Sequence, residues 1–224
     1  YVTMKKLGKL LLVTPLAFSL ILPTTGVFAG ESNDAHVKVD EVEAPKLELT
    51  QEKKEDLYNQ YVKIVADVAA QYPESGIFIE PLDTFKDEYF MSPEDYRAFA
   101  VNLATSSIVV APETPSDVIT PLSTGIKTKY ATITFGGNSR SIAVTGTFTI
   151  DHFLGRMGFT AIKSLTSKSA DSRGTWRQSG YNEKIYDAGE TMNVSVGGTY
   201  TENGVSKPDN FELHFYCSGN GEIS

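Results

Sequence analysis

The chain has 224 residues and a net charge of −8, with 28 acidic against 20 basic residues. This acidity argues against binding to nucleic acid or to anionic lipid, because like charges repel at long range. A single cysteine excludes an intramolecular disulfide, so stability must come from the burial of apolar side chains.

Residues 1–29 have the three parts of a secretory signal peptide. A start with three lysines precedes the mostly apolar residues 10–22, and the segment ends in Val27-Phe28-Ala29, with small residues where a signal peptidase cleaves. We predict cleavage after Ala29 and a secreted, extracellular protein. The alternative is a membrane anchor. An apolar run of about 13 residues is short for the ~20 that a spanning helix needs, so we expect no stable membrane insertion after signal removal.

Charge divides the remaining chain into two parts. Residues 30–118 carry 7 Lys and Arg against 19 Asp and Glu, whereas residues 119–224 carry 10 against 9. This asymmetry predicts two units with different surfaces, although acidity also serves simply to keep a secreted chain soluble. The predicted order is a flexible acidic arm (30–46), a helical (α+β) unit (47–111), a proline-rich linker (112–118) and a β-sandwich domain (119–224).

Two helices are predicted in the first half. Apolar residues between Leu57 and Tyr72 recur at helical spacing, which predicts a helix over residues 51–72 with Thr50 as its N-cap. Ser92, followed by Pro93, caps a second helix. An apolar stripe of this kind packs either within its own domain or on a partner helix. Short strands are predicted at 77–79 and 108–110, the second closing the helical unit.

Two stretches of this half carry a resemblance. The runs LTQEKKEDLYNQYVKIVADV and FKDEYFMSPEDYRAFA resemble a helical leader found in small, uncharacterised secreted proteins of Gram-positive bacteria. The resemblance covers the first half of the chain only. It implies a secreted location and no particular activity.

The second half is β by pattern. Residues 127–151 alternate apolar and hydroxyl side chains on both sides of Gly136-Gly137-Asn138-Ser139, which predicts a β-hairpin. Further alternating runs predict six to eight short strands, with turns at positions that include the glycine pair Gly197-Gly198 and the cluster Lys207-Pro208-Asp209-Asn210. The fold class is therefore predicted as α+β, an acidic, mainly helical unit followed by an antiparallel sandwich or small barrel. Cys217 alternates with apolar residues of the last strand, which predicts a buried thiol.

No catalytic or metal-binding motif is present in the sequence. The three histidines, His36, His152 and His214, are not spaced as zinc ligands, and Asp151 next to His152 would point to the opposite face of a strand. We therefore predict no metal site and no cofactor, and we favour a protein without enzymatic activity. Two carboxylates in a cleft would be invisible at this level, which leaves enzymatic activity open.

Residues 174–186 are the surface most typical of a binding site. They include the only tryptophan of the chain, and Trp, Tyr and Arg dominate binding hot spots. The candidate binding residues are Trp176, Arg177, Tyr181 and Tyr186. The alternative for Trp176 is a central core position in a two-sheet fold.

These observations favour a secreted, non-enzymatic binding or interaction protein that acts at or outside the bacterial cell envelope on an unknown protein or glycan. The first alternative is a secreted antibacterial or toxin-like β protein, in which the acidic helical half masks the β unit. The second is a hydrolase without a recognisable motif. An exposed aromatic patch would favour binding, a helical cover over an apolar face would favour a masked toxin, and a cleft of converging polar groups would favour an enzyme.

Overall fold

The computed structural model describes residues 49–110, 125–153 and 155–224. The predicted signal peptide, arm and linker lie outside the described residues, and so does His36. The segment Leu47–Ser224 forms one compact unit.

Both predicted helices are confirmed. Helix α1 covers Gln51–Gln71, and the side chain of Thr50 accepts a hydrogen bond from the backbone N–H of Lys53. Helix α2 covers Pro93–Ala104, and the side chain of Ser92 accepts from the N–H of Asp95. The two helices pack through the stacked rings of Tyr61 and Tyr96, whose centroids lie 3.7 Å apart. The apolar stripe of α1 therefore packs within its own unit.

The strands form one antiparallel sheet in the order β1-β8-β7-β6-β5-β4-β3-β2. This arrangement confirms the α+β class with a β-rich second half. The two strands of the first half lie at the edges of this sheet, so β2 pairs with β3 and does not close a separate helical unit. The strands are β1 (Phe78–Ile79), β2 (Ser107–Val110), β3 (Ile126–Phe135), β4 (Asn138–Phe153), β5 (Arg156–Ser169), β6 (Thr175–Tyr186), β7 (Thr191–Glu202) and β8 (Val205–Tyr216).

The sheet is strongly curled, as contacts between the side chains of distant strands show. The rings of Phe148 on β4 and Phe215 on β8 have centroids 4.7 Å apart. Four strand spacings in a flat sheet would separate these strands by roughly 19 Å. The curl buries one face of β3, β4, β7 and β8 in a common core, and α1 and α2 contribute to the same core.

The predicted hairpin is confirmed as β3 and β4. Their ten-residue register ends at Phe135 opposite Asn138, so the turn consists of Gly136 and Gly137. Both glycines have positive φ, 52° and 76°, as a tight two-residue hairpin turn requires.

Two predicted turns are wrong, because both sequences lie inside long strands. Gly197-Gly198 lies in the middle of β7, where a Cβ on Gly198 would come within 2.4 Å of the Trp176 ring. Gly198 therefore makes room for an aromatic side chain. Residues 207–210 lie within β8, and Pro208 pairs with Thr199 on β7. β1 pairs with β8 only as far as Ser206. On that edge of β8 no partner strand therefore needs the amide N–H that Pro208 lacks.

The two ends of the curled sheet are covered by different parts of the chain. At one end the ring of Phe99 on α2 packs edge-on against Phe135, with centroids 6.0 Å apart. At the other end the last residues of the chain turn back, and the N–H of Met157 donates to the carbonyl of Gly219 at 3.1 Å. Cys217 is buried at this second end, as its strand position predicts.

Candidate functional site

Strands β5 and β6 separate along most of their length. Only Lys168 and Arg177 pair between them, whereas β5 pairs with β4, and β6 with β7, over almost their whole extents. Among the described residues, the edge of β5 from Thr166 back to Arg156 has no partner strand on the β6 side. The edge of β6 from Gln178 onward has none on the β5 side. The sheet is therefore open at this point.

β-Bulges in both strands account for the separation. The β4–β5 register shifts twice, at Phe148 and at Ile150, and the β6–β7 register shifts between Gln178 and Gly180. A bulge adds one unpaired residue, bends its strand and increases the local twist. Bulges on both sides of the same strand pair turn β5 and β6 away from each other.

A groove of about 560 Å³ lies in this opening. The volume falls within the range of roughly 300–1,000 Å³ that is usual for ligand sites. Its lining is made of hydroxyl, amide, glycine and aromatic groups, with one leucine. The lining residues are Leu165, Thr166, Ser167, Gln178, Ser179, Gly180 and Tyr181.

Side-chain hydrogen bonds replace the missing backbone pairing at the closed end of the groove. The indole N–H of Trp176 donates to Ser167 Oγ at 2.8 Å, and Ser167 Oγ donates to Gln178 Oε1 at 2.8 Å. Gln178 Nε2 in turn donates to the carbonyl of Leu165 at 3.3 Å. This chain of contacts couples the single tryptophan to the groove lining.

The opening also uncovers positions that belong to the inner face of the sheet. Tyr181 and Ile185 on β6 pair with Val196 and Met192 on β7, and both β7 partners are fully buried. Tyr181 is only half-buried and Ile185 is 37% exposed, because no β5 neighbour covers them. Glu183 lies between them on the same face, pairs with buried Val194 and is exposed as well, so the uncovered face of β6 carries two apolar side chains and one carboxylate.

The strands that border the groove are basic, although the chain as a whole is acidic, and we call their exposed cations the cationic rim. The stretch from Arg156 to Tyr186 contains six basic and two acidic residues. Four of its cations are exposed and make no ion pair within the described residues, namely Lys163, Lys168, Arg177 and Lys184. Lys168 and Arg177 lie directly opposite each other, and like charges in that position destabilise a strand pair.

The four predicted binding residues occupy different positions around this groove. Trp176 is 4% exposed and packs against Phe211, with ring centroids 5.6 Å apart, so it lies in the core. Arg177 is on the rim, Tyr181 lines the groove, and Tyr186 is an exposed residue at the far end of β6. Lys184 Nζ lies 4.8 Å from the centroid of the Tyr186 ring.

The sequence analysis missed the residues that complete the groove from β5, chiefly Ser167 and Lys168. Ser179 and Gly180 lie within the predicted surface 174–186 but were not named as binding residues. The structure shows one continuous β6 that bulges at Ser179. The polar run Gln178-Ser179-Gly180 inside an otherwise alternating pattern is the signal that indicates a bulge.

Other sites with possible chemistry lie apart from the groove. His152 and His214 are exposed on β4 and β8, and residues 49–110, 125–153 and 155–224 contain no cluster of three metal-ligating side chains. Burial raises the pKa of the Cys217 thiol, which keeps it protonated and unreactive at neutral pH. Neither helix in the described part of the chain is long and apolar enough to span a membrane.

Comparison with known proteins gives no indication of function. No protein-family model, no curated protein and no solved structure matches the chain. The function must therefore be argued from the groove and from the sequence.

Proposed function

We propose that this is a secreted, non-enzymatic binding protein that acts at or outside the bacterial cell envelope, and that the β5–β6 groove is its binding surface. The observation that carries the proposal is the cationic rim, whose four exposed side chains make no ion pair within the described residues. Lys168 and Arg177 oppose each other at the single bridge between β5 and β6. A bound anionic group would relieve their repulsion.

The chemistry of the groove supports binding over catalysis. Its hydroxyl groups include Ser167 and Ser179, but neither an imidazole nor a carboxylate belongs to the lining. Ser167 Oγ donates to the amide oxygen of Gln178, which cannot act as a general base. The lining groups offer hydrogen bonds and an aromatic face, which are the means of recognition.

The test is binding of the purified protein to envelope preparations from Gram-positive cells. We expect the double variant Lys168→Glu/Arg177→Glu to lose at least tenfold in apparent affinity, or about 1.4 kcal/mol. The matched control is Lys53→Glu/Lys63→Glu, which makes the same charge change at two exposed positions of α1. Equal loss in both variants would indicate a non-specific charge effect and would contradict the proposal.

The proposed location rests on the three-part leader and on the resemblance of the first half to secreted proteins of Gram-positive bacteria. Intact-mass analysis of protein from the culture medium tests it, and the expected species begins at Gly30. Cell-bound protein that retains residues 10–22 would contradict it. The curled sheet is compatible with the narrower expectation of a sandwich-like or barrel-like β unit.

A second candidate function is a toxin-like β unit masked by the helices. It is favoured by the single core that the helices and the sheet share, in which Phe99 packs on Phe135. In this case, cutting the chain within residues 112–118 and releasing the first half should produce growth inhibition that the intact protein lacks. Absence of inhibition by a separated β half that is shown to remain folded would exclude this candidate.

A further inference from the structure

We propose that the ligand of the groove is an extended, acidic peptide segment of a partner protein, which adds a strand along the free edge of β6. This inference rests on the groove that the proposed function uses, and it names the class of partner. It follows from the backbone of the groove, from its inner face and from its rim.

The backbone argument concerns the edge of β6 between Gln178 and Tyr186. Within the described residues this edge has no strand partner beyond Arg177, so its outward-facing amide and carbonyl groups are placed to bind an additional strand. A peptide in extended conformation presents donors and acceptors at the same spacing, and such strand addition is a common mode of peptide recognition. A glycan has no regular backbone of this kind, so the free edge favours a peptide.

The side-chain argument specifies which peptide would fit. Successive side chains of an added strand point to opposite faces of the sheet. Those on the inner face would meet the apolar side chains of Ile162, Tyr181 and Ile185, with the carboxylate of Glu183 between the last two. Those on the outer face would meet the cationic rim, including Lys168 and Arg177 where β5 and β6 pair. The fitting ligand therefore alternates apolar and acidic residues.

Trp176 offers a direct readout, because it is the only tryptophan in the chain and contacts the groove lining through Ser167. The probe is a short synthetic peptide of alternating Val and Glu, titrated into the intact mature protein while the emission of Trp176 is recorded. We expect a saturable change in emission. A peptide with Lys in place of Glu should produce none, since the rim would repel it.

Two comparisons separate strand addition from simple charge attraction. N-methylation of alternate amides on the pairing edge of the Val-Glu peptide should weaken binding by about tenfold or more, because each methyl group removes a donor and blocks the approach of the strand. Lys168→Glu/Arg177→Glu should weaken binding comparably, while Lys53→Glu/Lys63→Glu should leave it unchanged. Equal affinity of the methylated and unmethylated peptides would overturn strand addition.

Hydrogen exchange locates the added strand. We expect peptide-dependent protection in residues 178–186, which lie on β6. Protection confined to the edge strands β1 and β2 would overturn the assignment to this groove. Peptide-independent dimerisation that is lost in Lys168→Glu/Arg177→Glu would also overturn it, since a second copy of the chain would then occupy the edge.

The outcomes also distinguish this inference from the proposed function. Loss of envelope binding in the rim variant, without any response to the Val-Glu peptide, would retain the groove as a binding surface and reject the peptide. A response to the peptide without envelope binding would retain the peptide site and reject the proposed place of action.

Discussion

Arg140 on β4 and Glu202 on β7 form a two-bond ion pair inside the curled sheet. Arg140 Nε and Nη2 lie 2.9 Å and 2.7 Å from the two carboxylate oxygens of Glu202, and the two side chains are 6% and 7% exposed. The Tyr200 hydroxyl donates to the same carboxylate. The hydrogen bond from Arg140 to Glu202 raises the pKa of the arginine further. The pair therefore joins two strands that are not neighbours in the sheet.

Removing one member of this pair should be costly, because the other charge would remain buried without a partner. We expect Glu202→Leu to lower the free energy of unfolding by about 3–5 kcal/mol, and Arg140→Met/Glu202→Leu to recover much of this loss. The measurement is denaturant unfolding. The control is Arg97→Met, whose ion pair with Asp67 is half-exposed and should be worth less than about 1 kcal/mol. A double variant as unstable as Glu202→Leu would contradict the assignment.

Gly180 on β6 and Gly198 on β7 should respond differently to substitution by alanine. A Cβ on Gly198 would lie 2.4 Å from the buried Trp176 ring, whereas a Cβ on Gly180 would meet nothing within 4 Å. We expect Gly198→Ala to cost about 1–3 kcal/mol of stability and to shift the emission of Trp176. Gly180→Ala should be nearly neutral. Similar thermal midpoints for the two variants would show that the indole ring is free to move.

The Cys217 thiol should react with a labelling reagent only after denaturation, because it is 4% exposed. Its Sγ lies 3.5 Å from the carbonyl oxygen of Ser218, which gives a hydroxyl at this position an acceptor. An unpaired buried hydroxyl would cost about 1–3 kcal/mol. With this acceptor, Cys217→Ser should cost only the low end of that range, roughly 1 kcal/mol. Rapid labelling of the native protein, or a covalent dimer lost on reduction, would show that the thiol is accessible.

Stability should fall at alkaline pH. Burial raises the pKa of Cys217 above 9.0 and that of Tyr96 above 10.0, so the folded state favours the neutral forms. The resulting stabilisation is complete below these unfolded-state values and is lost as the pH rises through the folded-state values. We expect the denaturation midpoint to decline above pH 9, and Cys217→Ala to remove the first part of the decline. A midpoint that rises above pH 9 would contradict the sign.

The shared core makes a prediction about the isolated second half. The alternation of its strands predicts that residues 119–224 fold alone. The packing predicts the opposite, because this fragment would lack α1, α2 and both edge strands and would expose side chains such as Phe135. We expect it to lose its cooperative thermal transition. A sharp transition near that of the whole protein would establish an autonomous β domain.

The elements with strong local signals could be predicted from the sequence. Thr50 and Ser92 begin their helices with side-chain caps, and Gly136-Gly137 forms the turn of the β3–β4 hairpin. These features depend on neighbouring residues and on backbone preferences, so they are visible in a single sequence. The burial of Cys217 was predictable for the same reason, since alternation within one strand determines its face.

The groove could be predicted only in part. Arg177 and Tyr181 were identified by residue type, but Lys168 belongs to another strand, and only the register of β5 against β6 brings it opposite Arg177. The prediction of a turn at Gly197-Gly198 is wrong because a glycine can also occur within a strand, where a side chain would collide with a ring such as that of Trp176. Both cases depend on pairing partners far apart in the chain, which local periodicity does not encode.

The pairing of β1 with β8 has a kinetic consequence. Phe78 pairs with Ser206, and Ser206 Oγ also donates to Glu80, so residues more than a hundred positions apart must meet before the sheet is complete. Folding rates fall as the sequence separation of contacts grows. Among the described strands β1 is synthesised first and β8 last, so β1 cannot pair until β8 has been made. For an exported chain, this delay would keep the polypeptide unfolded, and so competent for translocation, until its C-terminal strand has been made.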